Sequence, residues 1–68
     1  MKTGARNRIK GKVTSIKSDT VMSLVKFDTA SGEMASVLTT ESVEDMNMKI
    51  GDEVDLVIKA INVLPVKP

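Results

Sequence analysis

These 68 residues contain no cysteine, histidine, tryptophan or tyrosine, and Phe27 is the only aromatic. Without cysteine there is neither a disulfide framework nor a thiolate metal site, and without histidine the usual general base and commonest metal ligand are missing. The serines and threonines therefore lack the partner that ordinarily activates a hydroxyl nucleophile. A Ser–Lys pair using Lys59 is the arrangement left, and an enzyme is not expected. Charge of one sign is also absent: ten Lys+Arg stand against nine Asp+Glu, a net +1. With one aromatic to stack on and so little net charge, the chain lacks the basic groove and base-stacking platforms of a single-strand nucleic-acid binder. Long apolar runs are missing too. Leu56-Val57-Ile58 is typical, far below the roughly 20 residues that span a bilayer. Met1 to Asn7 has charges but no apolar stretch behind them, so no signal peptide or membrane segment is expected, and the cytoplasm is the expected compartment.

What the sequence does have is β-branched residues: Val, Ile and Thr together number 20. That bias reads as strand. Arg8 to Lys17 alternates, with Ile9, Gly11 and Val13 on one side, until Ile16 breaks the phase and implies a bulge near Ser15. Lys17-Ser18-Asp19-Thr20 is turn chemistry. Val21 to Phe27 is apolar on both faces, as for a strand with the core on one side and a neighbouring subunit on the other. Asp28 to Gly32 closes a second hairpin, and Met34 to Thr39 makes a third strand. Thr39-Thr40-Glu41-Ser42 then supplies capping residues ahead of Val43 and Met46, spaced for a single helical turn. A turn at Gly51 leads to Glu53–Lys59, with Val54, Leu56 and Ile58 inward, and Ile61 to Leu64 is a fifth strand that Pro65 ends. The expected fold is all-β: a small OB-like Greek-key barrel of five strands, with one short helix between strands three and four, formed by residues 1–68 as one domain.

A domain of this length buries only about 60% of its unfolded surface, so its stability balance sits near zero. Self-association is the remaining source of burial, and 41% apolar content agrees with it. The carboxylates Glu41, Glu44, Asp45, Asp52, Glu53 and Asp55 read as a solvated face, and Asp52-Glu53-Val54-Asp55 lacks the alternation of a calcium loop. The notable cations are Arg6, among small residues that permit close backbone approach, and Lys59, at the end of an apolar strand. Thr39 and Ser42 bring hydroxyls and N–H groups to the start of the short helix. That placement suits either plain capping or an anion.

Four segments, in order and at matching separations, resemble one family. Gly4-Ala5-Arg6-Asn7-Arg8-Ile9-Lys10-Gly11-Lys12-Val13 is similar to the S-A-R-N-x-L-x-G-x-V opening of the molbindins, the Mop-type TOBE domains. Thr20-Val21-Met22 resembles their turn into the second strand, and Thr39 to Met46 their T-x-x-S-V-x-x-L segment. Gly51-Asp52-Glu53-Val54 and Val57-Ile58-Lys59-Ala60 resemble their closing elements. The resemblance implies a molybdate- or tungstate-binding protein of molybdenum homeostasis, assembled as a hexamer (a trimer of dimers) that holds oxyanions between subunits. It implies Arg6 and Lys59 as charged donors, with Gly4, Ala5 and Ala60 as backbone neighbours. Thr39, Ser42 and Val43 would come from the adjoining subunit, and Thr20 and Val21 would line a second type of site. The sequence departs from the family pattern where Gly4 replaces the usual serine and where Ile61 follows Lys59-Ala60. The alternative reading, from fold class alone, is a nucleic-acid-binding or structural OB-like module.

Overall fold

The computed structural model describes residues 7–59 and 65–67. The elements run β1 (Asn7–Ser18), β2 (Met22–Thr29), β3 (Gly32–Thr39), α1 (Thr40–Asp45) and β4 (Glu53–Ile58). They form one antiparallel four-stranded sheet in the order β3-β2-β1-β4. The all-β class and the short helix between the third and fourth strands are as the sequence implies. The expected fifth strand, Ile61 to Leu64, lies outside the described residues, as do Gly4, Ala5, Arg6 and Ala60.

β1 is the spine of the fold, because it pairs with β2 along one edge and with β4 along the other. The Asn7↔Ile58 pair marks its N-terminal end and Ser18↔Ser23 its C-terminal end. Between Val13 and Ser15 the register with β2 shifts, as the broken alternation at Ile16 implies. The extra residue is Thr14, whose hydroxyl donates to the Lys26 carbonyl at 3.2 Å. On the opposite edge Gly51 N–H donates to the Val13 carbonyl, and Val13 N–H donates to the Asp52 carbonyl. Gly51 makes that approach at φ +96°, a conformation open to glycine at little cost.

The core consists of Val13, Val25, Phe27 and Val43, with Ile16, Leu38, Met48, Val54 and Leu56 packed around it. β2 differs from the sequence reading in two ways. Val21 belongs to the preceding turn rather than to the strand, and the two faces are not uniformly apolar. Ser23 is fully buried on the inner face, between Ser18 and Thr40, and Lys26 stands on the outer face. A buried hydroxyl is tolerated there because it exchanges hydrogen bonds with two others, at 2.7 and 2.8 Å.

Gly11 of β1 packs against Leu56 and Phe27. A Cβ at that position would lie 2.9 Å from Leu56 Cδ1 and 3.2 Å from Phe27 Cβ. The leucine methyl can swing aside, but the phenylalanine Cβ moves only with its backbone. Gly11→Val, whose branched methyls extend beyond that crowded Cβ, is therefore expected to destabilise the fold by about 1–3 kcal/mol through overpacking. Urea denaturation would show this as a lower midpoint at unchanged slope.

Candidate functional site

The structure places the described members of the sequence-derived site, Thr20, Val21, Thr39, Ser42, Val43 and Lys59, at two ends of the sheet. At one end, the turn Asp19-Thr20-Val21 meets the junction of β3 and α1. Thr39 pairs with Met22 across the strands, Thr40 N–H donates to the Val21 carbonyl at 2.8 Å, and Thr40 Oγ1 donates to the Asp19 carbonyl at 2.8 Å. Thr20, Val21, Thr39 and Ser42 are thus neighbours in space although some 20 residues separate them in sequence. At the other end, Lys59 follows Ile58, the residue paired with Asn7 at the start of β1, and is exposed. The twelve residues of β1 lie between the two groups, a run of up to about 36 Å at roughly 3.3 Å per residue.

Thr39 is the N-cap of α1, with φ −69° and ψ 145°. Its hydroxyl accepts from Ser42 N–H at 3.1 Å and shares a 2.7 Å hydrogen bond with Ser42 Oγ. The plain capping role is therefore realised. Each hydroxyl retains further capacity, because one hydroxyl offers a proton and two lone pairs. Thr39 is exposed and Ser42 half-buried. Val43 is buried with its side chain in the core, so only its backbone can serve a ligand. α1 has six residues and carries Glu41 in its first turn, which leaves little helix dipole to attract an anion.

Asp19 is a turn residue, as the sequence implies, and its carboxylate organises that turn. Its Oδ1 accepts from Val21 N–H at 2.8 Å and from Met22 N–H at 2.7 Å. These bonds, Met22's foremost, hold the Asp19 carboxyl below its ordinary value of 3.8. The signal in the sequence was an Asp just ahead of a strand, where its side chain reaches the N–H two residues on, an Asx-turn pattern. The Ser18–Ser23–Thr40 hydroxyl chain was less accessible, since it depends on which face of β2 points inward.

Among the described residues no group of three His, Cys, Asp or Glu side chains converges, and no helix is long and apolar enough to cross a membrane. The outer face beside the hydroxyl cluster is apolar: Leu24 pairs with Val37, and both Val37 and Val21 are 65% exposed. Oxyanion chemistry matches the side-chain donors present, namely the Thr39 and Ser42 hydroxyls at one end and the exposed Lys59 ammonium at the other.

Comparison with known proteins agrees with this chemistry. Residues 3–65 match the family model described as the TOBE domain. A probable molybdenum-pterin-binding protein of Haemophilus influenzae is 37% identical over 65 residues, covering 94% of each chain. Among solved structures, MopII of Clostridium pasteurianum superposes with a TM-score of 0.86 at 34% identity, covering 93% of this chain and 96% of that one. A molybdate-binding protein of Sporomusa ovata superposes with a TM-score of 0.91 at 31% identity, covering 98% and 100%.

Proposed function

This chain belongs to the TOBE-domain family, and from that premise we propose that it is a cytoplasmic, non-catalytic binder of molybdate or tungstate that holds the ion between subunits of a homohexamer, for storage or homeostasis of molybdenum. Gly4, Ala5, Arg6, Lys59 and Ala60 form one half of the principal site. Thr39, Ser42 and Val43 of an adjoining subunit form the other half, and Thr20 and Val21 line a second type of site.

One observation carries the reading: Lys59 and the Thr39–Ser42 pair lie at opposite ends of β1, so one chain does not close these two groups around one ion. Micromolar affinity requires about −8.2 kcal/mol. Hydrogen bonds to a charged partner contribute about 1.5–3 kcal/mol each, before ordering and desolvation are deducted. Several donors must therefore converge, and a second copy that sets its Thr39 end against the Lys59 end of the first supplies them. The exposed apolar pair Val21 and Val37, next to Thr39, gives such a contact something to bury. Charge-assisted bonds count for most in a site from which water is excluded. The names of the relatives point to molybdate as the oxyanion.

Isothermal titration of the size-resolved oligomer with molybdate, in the presence of excess sulfate, tests the proposal. Sulfate-resistant binding with at least about one ion per subunit pair is expected. An intact oligomer that gives no heat with molybdate, or that instead binds an oligonucleotide, would overturn it.

A further inference from the structure

Resting on the reading that Thr20 and Val21 line an oxyanion site, we propose that Asp19 sets the affinity of that site and keeps it low, by presenting the chain's own carboxylate to the donors an incoming oxyanion would use. The N–H groups of Val21 and Met22 both close on Asp19 Oδ1, at 2.8 and 2.7 Å. The turn thus already holds an internal anion. Its position is braced from behind. Asp19 N–H donates to the Met22 carbonyl at 2.9 Å, and Thr40 holds the Val21 and Asp19 carbonyls, each at 2.8 Å. A carboxylate so held swings clear only by giving up both hydrogen bonds.

An oxyanion at Thr20 and Val21 has two courses. It displaces the carboxylate, breaking two charge-assisted hydrogen bonds, or it binds beside the carboxylate and suffers its field. A single negative charge about 6 Å from a dianion lowers affinity about tenfold even at the dielectric constant of water. Lys17 is the cation that lines the shallow depression next to Asp19, together with Ser18, Met22 and Leu24. It draws anions toward the turn, while Asp19 opposes their final approach. The consequence is an order of filling: the sites built on Arg6 and Lys59 load first, and those at the turn load only when oxyanion is abundant. Two affinity classes widen the concentration range over which one assembly takes up the ion.

The test is molybdate titration of the oligomer and of its Asp19→Asn variant. Asparagine retains an Oδ1 acceptor for the turn, removes the charge and puts a neutral amide NH2 where the second oxygen stood, so the salt dependence below separates loss of charge from gain of a donor. The weaker class should tighten about tenfold, or become detectable for the first time, with the tighter class unchanged. The difference between the proteins should shrink as salt rises from about 0.05 M to about 0.5 M, because the charge is screened. A weaker class of equal affinity in both proteins, or a single class common to both, would overturn the role of Asp19 and leave the oxyanion reading standing. A gain insensitive to salt would also overturn it, by making Asp19 a structural brace. No molybdate heat in either protein would overturn both readings together.

Discussion

Arg6→Ala is expected to weaken molybdate binding roughly 10- to 150-fold while the circular dichroism spectrum and oligomer size stay those of the parent. The range follows from one charge-assisted donor contributing about 1.5–3 kcal/mol in a site that excludes water. Arginine presents a planar fork that meets two oxygens of one ion, whereas lysine offers a compact point charge. Arg6→Lys is therefore expected to recover only part of the loss, which separates directed hydrogen bonding from attraction by charge alone. Net charge makes the same point at the level of the assembly. Each chain carries +1, so the proposed hexamer would carry about +6, and a bound dianion would offset repulsion between its subunits. Arg6→Ala should then lose affinity at low salt more than at high salt. Unchanged affinity at either ionic strength would remove Arg6 from the site.

Much of this was legible in the residues, for identifiable reasons. β1 and β4 follow from period-two alternation, and the bulge follows from its interruption at Ile16, because a sheet with one buried face tolerates no slip in register. The helix follows from Thr39 and Ser42, whose capping bond is observed. The spatial union of the Asp19 turn with Thr39 and Thr40 was not legible. It arises from the β2–β3 pairing that sets Met22 opposite Thr39, a contact no local pattern encodes. Val21 was assigned to β2 because its side chain suits a strand. Asp19 claims its N–H for a turn instead, and that competition between side chain and ladder shortens the strand by one residue. The buried Ser23 escaped for a related reason: alternation identifies a position as inward but assumes it to be apolar, whereas two hydroxyl partners make a serine equally at home there.

Phe27→Ala is expected to produce the largest loss of stability, about 3–5 kcal/mol. Phe27 is the one aromatic of the chain and is 2% exposed, opposite Val13 on one side and Met34 on the other. Its Cβ abuts the place where Gly11 omits a side chain, so no neighbouring side chain on β1 at that point fills the space that truncation opens in the core. In a domain of this length a change of 1 kcal/mol moves the melting temperature by about 4–8 °C, so the transition should fall by roughly 12–40 °C. Ligand reverses part of the fall. An oxyanion that binds only the folded assembly adds about 2.7 kcal/mol when present at 100 times its dissociation constant. Saturating molybdate should accordingly raise the melting temperature of Phe27→Ala about as much as that of the parent, because the substitution leaves the donors in place. In Arg6→Ala the same ligand concentration should raise it much less. The two variants thus separate what holds the sheet and its core together from what holds the ion. A Phe27→Ala protein that melts normally would show that the core is not organised around this ring, and one that melts low without recovering in molybdate would show that the ion is not bound to the fold described here.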